Sequence, residues 1–182
     1  MKTRTERYRH EHRAQSFLGW VFAGILGLAA VLFVMFGWFS PVYINDASMS
    51  PTLSEGDTVI YDRLYGHFHE YQRGDIVVYR DPETQALLIK RVIAVAGDTI
   101  ETVDGEVYVN GERIDEPYLT PDRIGGQYIR RQTVPEGCVY VLGDNRAVSR
   151  DSRYETVGAI PLYRIVGKAR MVIFPFANAH LI

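Results

Sequence analysis

From Phe17 to Phe39 the chain carries no charged residue. At ~1.5 Å of rise per residue such a run spans roughly 35 Å as a helix, against a hydrocarbon core of ~30 Å, so a single tilted crossing of a bilayer is expected. A cleavable secretory signal fits less well. Its apolar region runs only ~7–15 residues and ends in a small-residue site, which Trp38-Phe39-Ser40-Pro41 does not supply. Lys2, Arg4, Arg7, Arg9 and Arg13 precede the run and no Lys or Arg follows it until Arg63, an asymmetry that predicts a cytoplasmic N-terminus and a C-terminal domain outside. Trp20 and Trp38 sit near the two ends, where amphipathic rings favour the interface. The organisation expected is a cytoplasmic basic segment at 1–16, a transmembrane helix at 17–39 and one extracytoplasmic domain at 40–182 in a 182-residue chain.

The formal net charge of -2 provides no basic field, which excludes nucleic acid as the natural partner. Cys138 is the sole cysteine, so no intramolecular disulfide forms and packing alone must hold the outer domain. Cys138 itself reads as a small buried hydrophobe beside Val139 and Tyr140.

After Phe39 the sequence is a succession of short segments rich in β-branched and aromatic residues. Asp57 to Tyr61, Asp75 to Tyr79, Leu87 to Val95, Asp98 to Val103, Glu106 to Asn110, Cys138 to Leu142 and Arg164 to Phe174 are expected to be strands. Asp104-Gly105 and Asn110-Gly111 tolerate the positive φ angles of tight hairpins, so Thr99 to Ile114 is expected to be a three-stranded meander. No stretch sustains helical periodicity for three turns, and the domain is expected to be mostly β, a barrel or coiled sheets of short antiparallel strands. Thr120 to Gln132 reads as a longer exposed loop.

Histidine is the common base for a serine nucleophile, but none here is well placed: His10 and His12 precede the apolar run, His67 and His69 lie in a tyrosine-rich loop and His180 is terminal. The pair His67 and His69 lacks the further ligands of a metal site, so neither metal nor cofactor is expected. A lysine replaces histidine only if it is neutral, which means depressing a pKa of ~10.4 at about 1.4 kcal/mol per unit. Lys90, between Leu87-Leu88-Ile89 and Arg91-Val92-Ile93, has the apolar neighbours to do so if its face is buried; otherwise it is an edge lysine deterring aggregation. Ser48, in Ser48-Met49-Ser50-Pro51-Thr52-Leu53, is either a nucleophile close to the membrane or a turn cap. Gly143-Asp144-Asn145 alone signals a turn, and Asp151 with Arg153 a surface ion pair.

Four blocks in order decide between these readings. Ser48 to Leu53, Arg73-Gly74-Asp75-Ile76-Val77, Lys90 to Asp98 and Gly143 through Arg153, behind an apolar span and before Ile165-Val166-Gly167-Lys168-Ala169, resemble the type I signal (leader) peptidases. The resemblance covers nearly the whole chain. It implies a membrane-bound serine endopeptidase that removes N-terminal signal peptides through an acyl-enzyme, with Ser48 as nucleophile and Lys90 as general base. It further implies that Ser149 orients the lysine amine, that the Ser48 N–H is the main oxyanion donor, and that Arg91, Asp144, Asp151 and Arg153 brace the site. Some relatives use a serine two residues before the nucleophile as second oxyanion donor; here that position is Asp46, which when ionised only accepts hydrogen bonds. Ala96 stands for a common proline, and Ala147-Val148 for polar residues.

The implied substrate is a secretory preprotein with small residues at the first and third positions before the cut, docked by strand addition. Val42, Ile44, Met49, Leu53, Leu88 and Ile89 are the expected pocket residues, with ordinary core as their other reading. The lipid bilayer is the second expected partner, because a signal peptide's cleavage site emerges within a few residues of the membrane. A specialised peptidase of a dedicated secretion or pilus system, and an inactive anchored polypeptide-binding domain, are the alternatives.

Overall fold

Short runs of β-branched and aromatic residues suit a pleated, half-buried surface, and the computed structural model forms them into antiparallel sheets. It describes residues 19–33, 37–120 and 128–182, and the chain divides into two units, Met1–Trp38 and Phe39–Ile182.

In the first unit residues 19–33 and 37–38 are helical, and their side chains are exposed. The expected basic segment 1–16 lies outside the described residues, as do positions 17, 18 and 34–36 of the expected span. Among the described residues no helix is long and apolar enough to cross a membrane. The boundary at Phe39 needs correction. Phe39 opens a strand, because Phe39–Tyr43 pairs with Thr58–Asp62.

The second unit holds twelve strands among its described residues: β1 (Phe39–Tyr43), β2 (Thr58–Asp62), β3 (Ile76–Arg80), β4 (Leu87–Val95), β5 (Thr99–Val103), β6 (Glu106–Val109), β7 (Glu112–Arg113), β8 (Gln132–Thr133), β9 (Cys138–Leu142), β10 (Ile160–Pro161), β11 (Ile165–Phe174) and β12 (His180–Leu181). One short helix, α1 (Tyr65–Phe68), follows β2. The larger sheet runs β1-β2-β11-β3-β4-β9-β10, with β12 on β11; the smaller runs β7-β6-β5-β8.

The expected meander is present as β5, β6 and β7, joined at Asp104-Gly105 and Asn110-Gly111, where all four residues have positive φ. The expected exposed loop from Thr120 to Gln132 is only partly that. Residues 121–127 lie outside the described residues, Gln132 belongs to β8, and Ile129 is 2% exposed in the core of the smaller sheet. Its N–H is satisfied by Thr102 Oγ1 at 2.7 Å, which anchors the end of this segment to β5.

β4 is the strand that organises the domain. It pairs with β3 from Leu87 to Arg91 and with β9 from Arg91 to Val95. With period 2, Leu87 and Ile89 meet the first core around Val59, Val78 and Val172. Leu88 and Val92 meet another around Val77, Tyr79, Val139 and Val141. A bulge between Val92 and Ala94 then turns Ala94 toward the core of the smaller sheet. Lys90 stands between Leu88 and Val92 on the second of these faces, opposite Val77.

Gly167 lets β11 lie against β2. A Cβ there would stand 2.3 Å from the Asp62 carbonyl oxygen and 2.6 Å from the Tyr61 ring. Gly167→Ala is therefore expected to lower stability by about 3 kcal/mol, the upper range for overpacking, read as a shift in the urea unfolding midpoint.

Candidate active site

Ser48 is held from two directions. Met49 and Leu53, 1% and 0% exposed, plug the loop after it into the first core, and Leu53 N–H donates to the Met49 carbonyl at 3.0 Å. From the other side the N–H of Asn145, in the loop after β9, donates to the Ser48 carbonyl at 2.9 Å. The loop that carries Ser48 is thus fixed to a segment nearly a hundred residues later, which local sequence does not encode.

Lys90 is 2% exposed, which overturns the edge-lysine reading. Its Nζ lies 2.8 Å from Ser48 Oγ and donates to the Ile89 carbonyl at 2.9 Å. Burial depresses the Lys90 pKa below the ordinary lysine value, opposed by the carboxylates of Asp46, Asp151 and Asp144. A neutral amine at this distance can take the hydroxyl proton of Ser48.

Ser149 departs from expectation. It is buried, but among the described residues its Oγ has no hydrogen-bond partner and is not bonded to the lysine. The Ile89 carbonyl takes the amine instead, a bond that only the main chain of β4 supplies. Ser149 is nonetheless close to the Ser48 backbone. Gly143 is wedged between them, and a Cβ on it would stand 2.2 Å from Ser149 Oγ and 2.5 Å from the Ser48 carbonyl oxygen.

The amide expected to receive an oxyanion is also engaged: the Ser48 N–H donates to Asp46 Oδ1 at 2.8 Å. Burial raises the Asp46 pKa, but hydrogen bonds from Ser48 and the Lys90 charge outweigh it, so the carboxyl lies below its usual value.

The four bracing residues form two ion pairs. Arg91 grips Asp144 with two bonds, Nε to Oδ1 at 2.9 Å and Nη2 to Oδ2 at 2.6 Å, while Thr52 Oγ1 donates to Asp144 at 2.5 Å. The lysine strand is thereby tied to the serine loop. Asp151 accepts from Arg153 Nε at 2.7 Å and from the Gly143 N–H at 3.0 Å, and Arg153 Nη2 donates onward to the Arg146 and Ser149 carbonyls.

Sequence reasoning missed a third pair, Arg146 with Glu116, whose side chains are 0% and 9% exposed. Glu116 follows the meander and carried no motif; the signal available was Arg146 within the block from Gly143 to Arg153. Thr52, Tyr118 stacked under Arg91 at 4.0 Å, and Gly143 were also unassigned.

The expected pocket divides. Ile44, Met49, Leu88 and Ile89 line a crevice of about 10 Å³ beside Ser48, together with Tyr43 and Leu87. That is room for one water-sized group. Val42 and Leu53 do not line it and belong to the first core, 7% and 0% exposed. On the lysine side a wider cleft of about 450 Å³ is walled by Asp46, Tyr79, Asp81, Val148 and Arg150. A cavity of about 640 Å³ beside His67, His69 and half-buried Cys138 includes neither Ser48 nor Lys90.

Residues 17–174 match the family described as signal peptidase, peptidase S26. The chain belongs to this family. Among its signal peptidase I relatives, one from Bacillus licheniformis is 33% identical over 91% of this chain and 92% of the relative. Signal peptidase I T of Bacillus subtilis (strain 168) is 31% identical over 96% and 93%, and signal peptidase I of Bacillus caldolyticus 36% over 76% and 81%.

Two outcomes test this scaffold. Gly143→Ala must displace the Ser48 carbonyl or Ser149, and a shift of Ser48 near 1 Å is expected to cost peptidase activity about 100-fold in kcat, measured on a peptide substrate. Arg146→Ala leaves Glu116 buried without its partner and is expected to lower unfolding stability by about 3–5 kcal/mol in a denaturant titration.

Proposed function

We propose that this signal peptidase cleaves the signal peptides of exported preproteins with Ser48 as nucleophile and Lys90 as general base, at the outer surface of the membrane that anchors it. The observation that carries the assignment is a 2.8 Å approach of Nζ to Oγ by a lysine that is 2% exposed.

Lys90 Nζ takes the Ser48 proton as Oγ attacks the scissile carbonyl. The tetrahedral intermediate collapses, the C–N bond breaks, and Lys90 returns the proton to the leaving amine. The acyl group is left as an ester on Ser48. Lys90 then takes a proton from a water, whose oxygen attacks the ester; the acid departs and Ser48 recovers its proton. No metal or cofactor enters these steps. Arg91 with Asp144, and Asp151 with Arg153, hold the two reacting side chains on their separate segments. Ser149, packed against Gly143, would orient the lysine amine by its hydroxyl, as the family resemblance implies.

Small residues before the cut suit the narrow crevice of Ile44, Met49, Leu88 and Ile89. Strand addition has a place beside it. β9 pairs with β4 only from Arg91 to Val95, which leaves the edge of Leu87 to Ile89 on that side unpaired by a strand. Anchoring to lipid, with the N-terminus cytoplasmic and the domain outside, is supported by the uncharged run Phe17 to Phe39, the exposure of Trp20, Phe22 and Ile25 along the helical residues, and the basic residues ahead of it.

Ser48→Ala and Lys90→Ala are each expected to reduce cleavage of a purified preprotein by about 10³-fold or more. Wild-type cleavage by either variant sinks the dyad. Because only the neutral amine accepts the proton, kcat/KM should rise with pH through the depressed Lys90 pKa and reach a plateau below the range of an ordinary lysine. A profile that stays flat down to about pH 5 excludes a lysine base.

A further inference from the structure

The tetrahedral intermediate needs an N–H aimed at its oxygen, and the Ser48 N–H is already given to Asp46 Oδ1 at 2.8 Å. Asp46 is exposed where Ser48 is buried, and it borders both the narrow crevice and the wide cleft. Its carboxylate therefore reaches the nucleophile's amide from the mouth of the site, on the path of an incoming carbonyl. An ionised carboxylate only accepts hydrogen bonds, so it cannot share the amide's task, and its charge opposes that of an oxyanion in the same place.

The backbone here has little freedom to present another donor. The Ser48 carbonyl is fixed by the Asn145 N–H, and the Ser50 N–H donates to the Ala47 carbonyl at 3.2 Å. Rotation of the Asp46 side chain toward water is the smallest motion that releases the Ser48 N–H.

We propose that Asp46 is a positioning residue that latches the oxyanion amide of Ser48 in the resting enzyme and must yield it to the substrate carbonyl in each turnover. The bond is present in the free enzyme and absent in the tetrahedral state, so it lowers the ground state and slows the reaction. Its function is to keep the Ser48 N–H aligned and to hold the unliganded site inactive. The inference rests on Ser48 being the nucleophile.

The test compares the full-length parent, Asp46→Ala, the isosteric Asp46→Asn and Ser48→Ala in detergent, with a peptide substrate. Asp46, Asp144 and Asp151 are the carboxylates whose charge reaches Lys90. Measurements are made on the high-pH plateau, where the amine is neutral in every variant.

Asp46→Ala, which removes the acceptor, is expected to raise kcat about tenfold with little change in KM, the factor expected for losing one hydrogen bond to a charged group, and Asp46→Asn, whose amide oxygen still accepts from the Ser48 N–H, is expected to raise it less. Asp46→Ala should tighten a peptide aldehyde, which forms a tetrahedral adduct on Ser48, by a similar factor. The matching peptide alcohol, which forms none, should bind unchanged. Unaltered or lower kcat in folded Asp46→Ala overturns the latch, as does an equal gain for alcohol and aldehyde, which marks simple removal of an obstructing charge. Activity persisting in Ser48→Ala defeats the nucleophile assignment instead, so the two failures are told apart.

Discussion

A lysine amine in the interior of a protein costs free energy in its charged form, and nearly every feature around Lys90 follows from that cost. β3 and β9 flank its strand, Leu88 and Val92 adjoin it along the chain, and Val77 faces it across the ladder. What remains for Nζ to bond is the Ser48 hydroxyl and the Ile89 carbonyl. Three carboxylates limit how far the amine is depressed, so the site balances desolvation against charge instead of simply drying the lysine.

The buried ion pairs have a different purpose. Charges withdrawn from water seldom add net stability, since desolvation offsets their attraction. Here they tie together segments distant in the chain: Arg91 and Thr52 meet on Asp144, Glu116 reaches Arg146, and Arg153 gathers Asp151 with the Arg146 and Ser149 carbonyls. Between these ties Gly143 has room for no side chain at all. The spacing of Ser48 and Lys90 is thus a property of the loop after β9 as much as of their own segments.

Much of the fold was legible because the strands that form the core are local patterns. β4 and β9 begin and end where β-branched runs begin and end, and the Asp104-Gly105 and Asn110-Gly111 turns carry their own conformational preference. β1 was not legible, since Phe39 to Tyr43 continues an apolar run and becomes a strand only by pairing with β2. The burial of Ile129 and the separation of Val42 and Leu53 from the crevice are likewise matters of packing. Ser149 shows the same limit in the site: the ordered blocks paired it with the lysine, but the amine's second bond went to a main-chain carbonyl that no motif marks.

Sequence alone determined the mostly β character of the C-terminal domain, the family, and the residue types able to attack and to take a proton, because composition, alternation and ordered blocks are written along one dimension. Tertiary structure decided whether Lys90 is dry, which pairs of charges meet, which apolar residues line a crevice, and that Asp46 holds the amide of Ser48. Burial and hydrogen-bond geometry depend on segments far apart in the chain, and those quantities exist only once the sheets have closed around them.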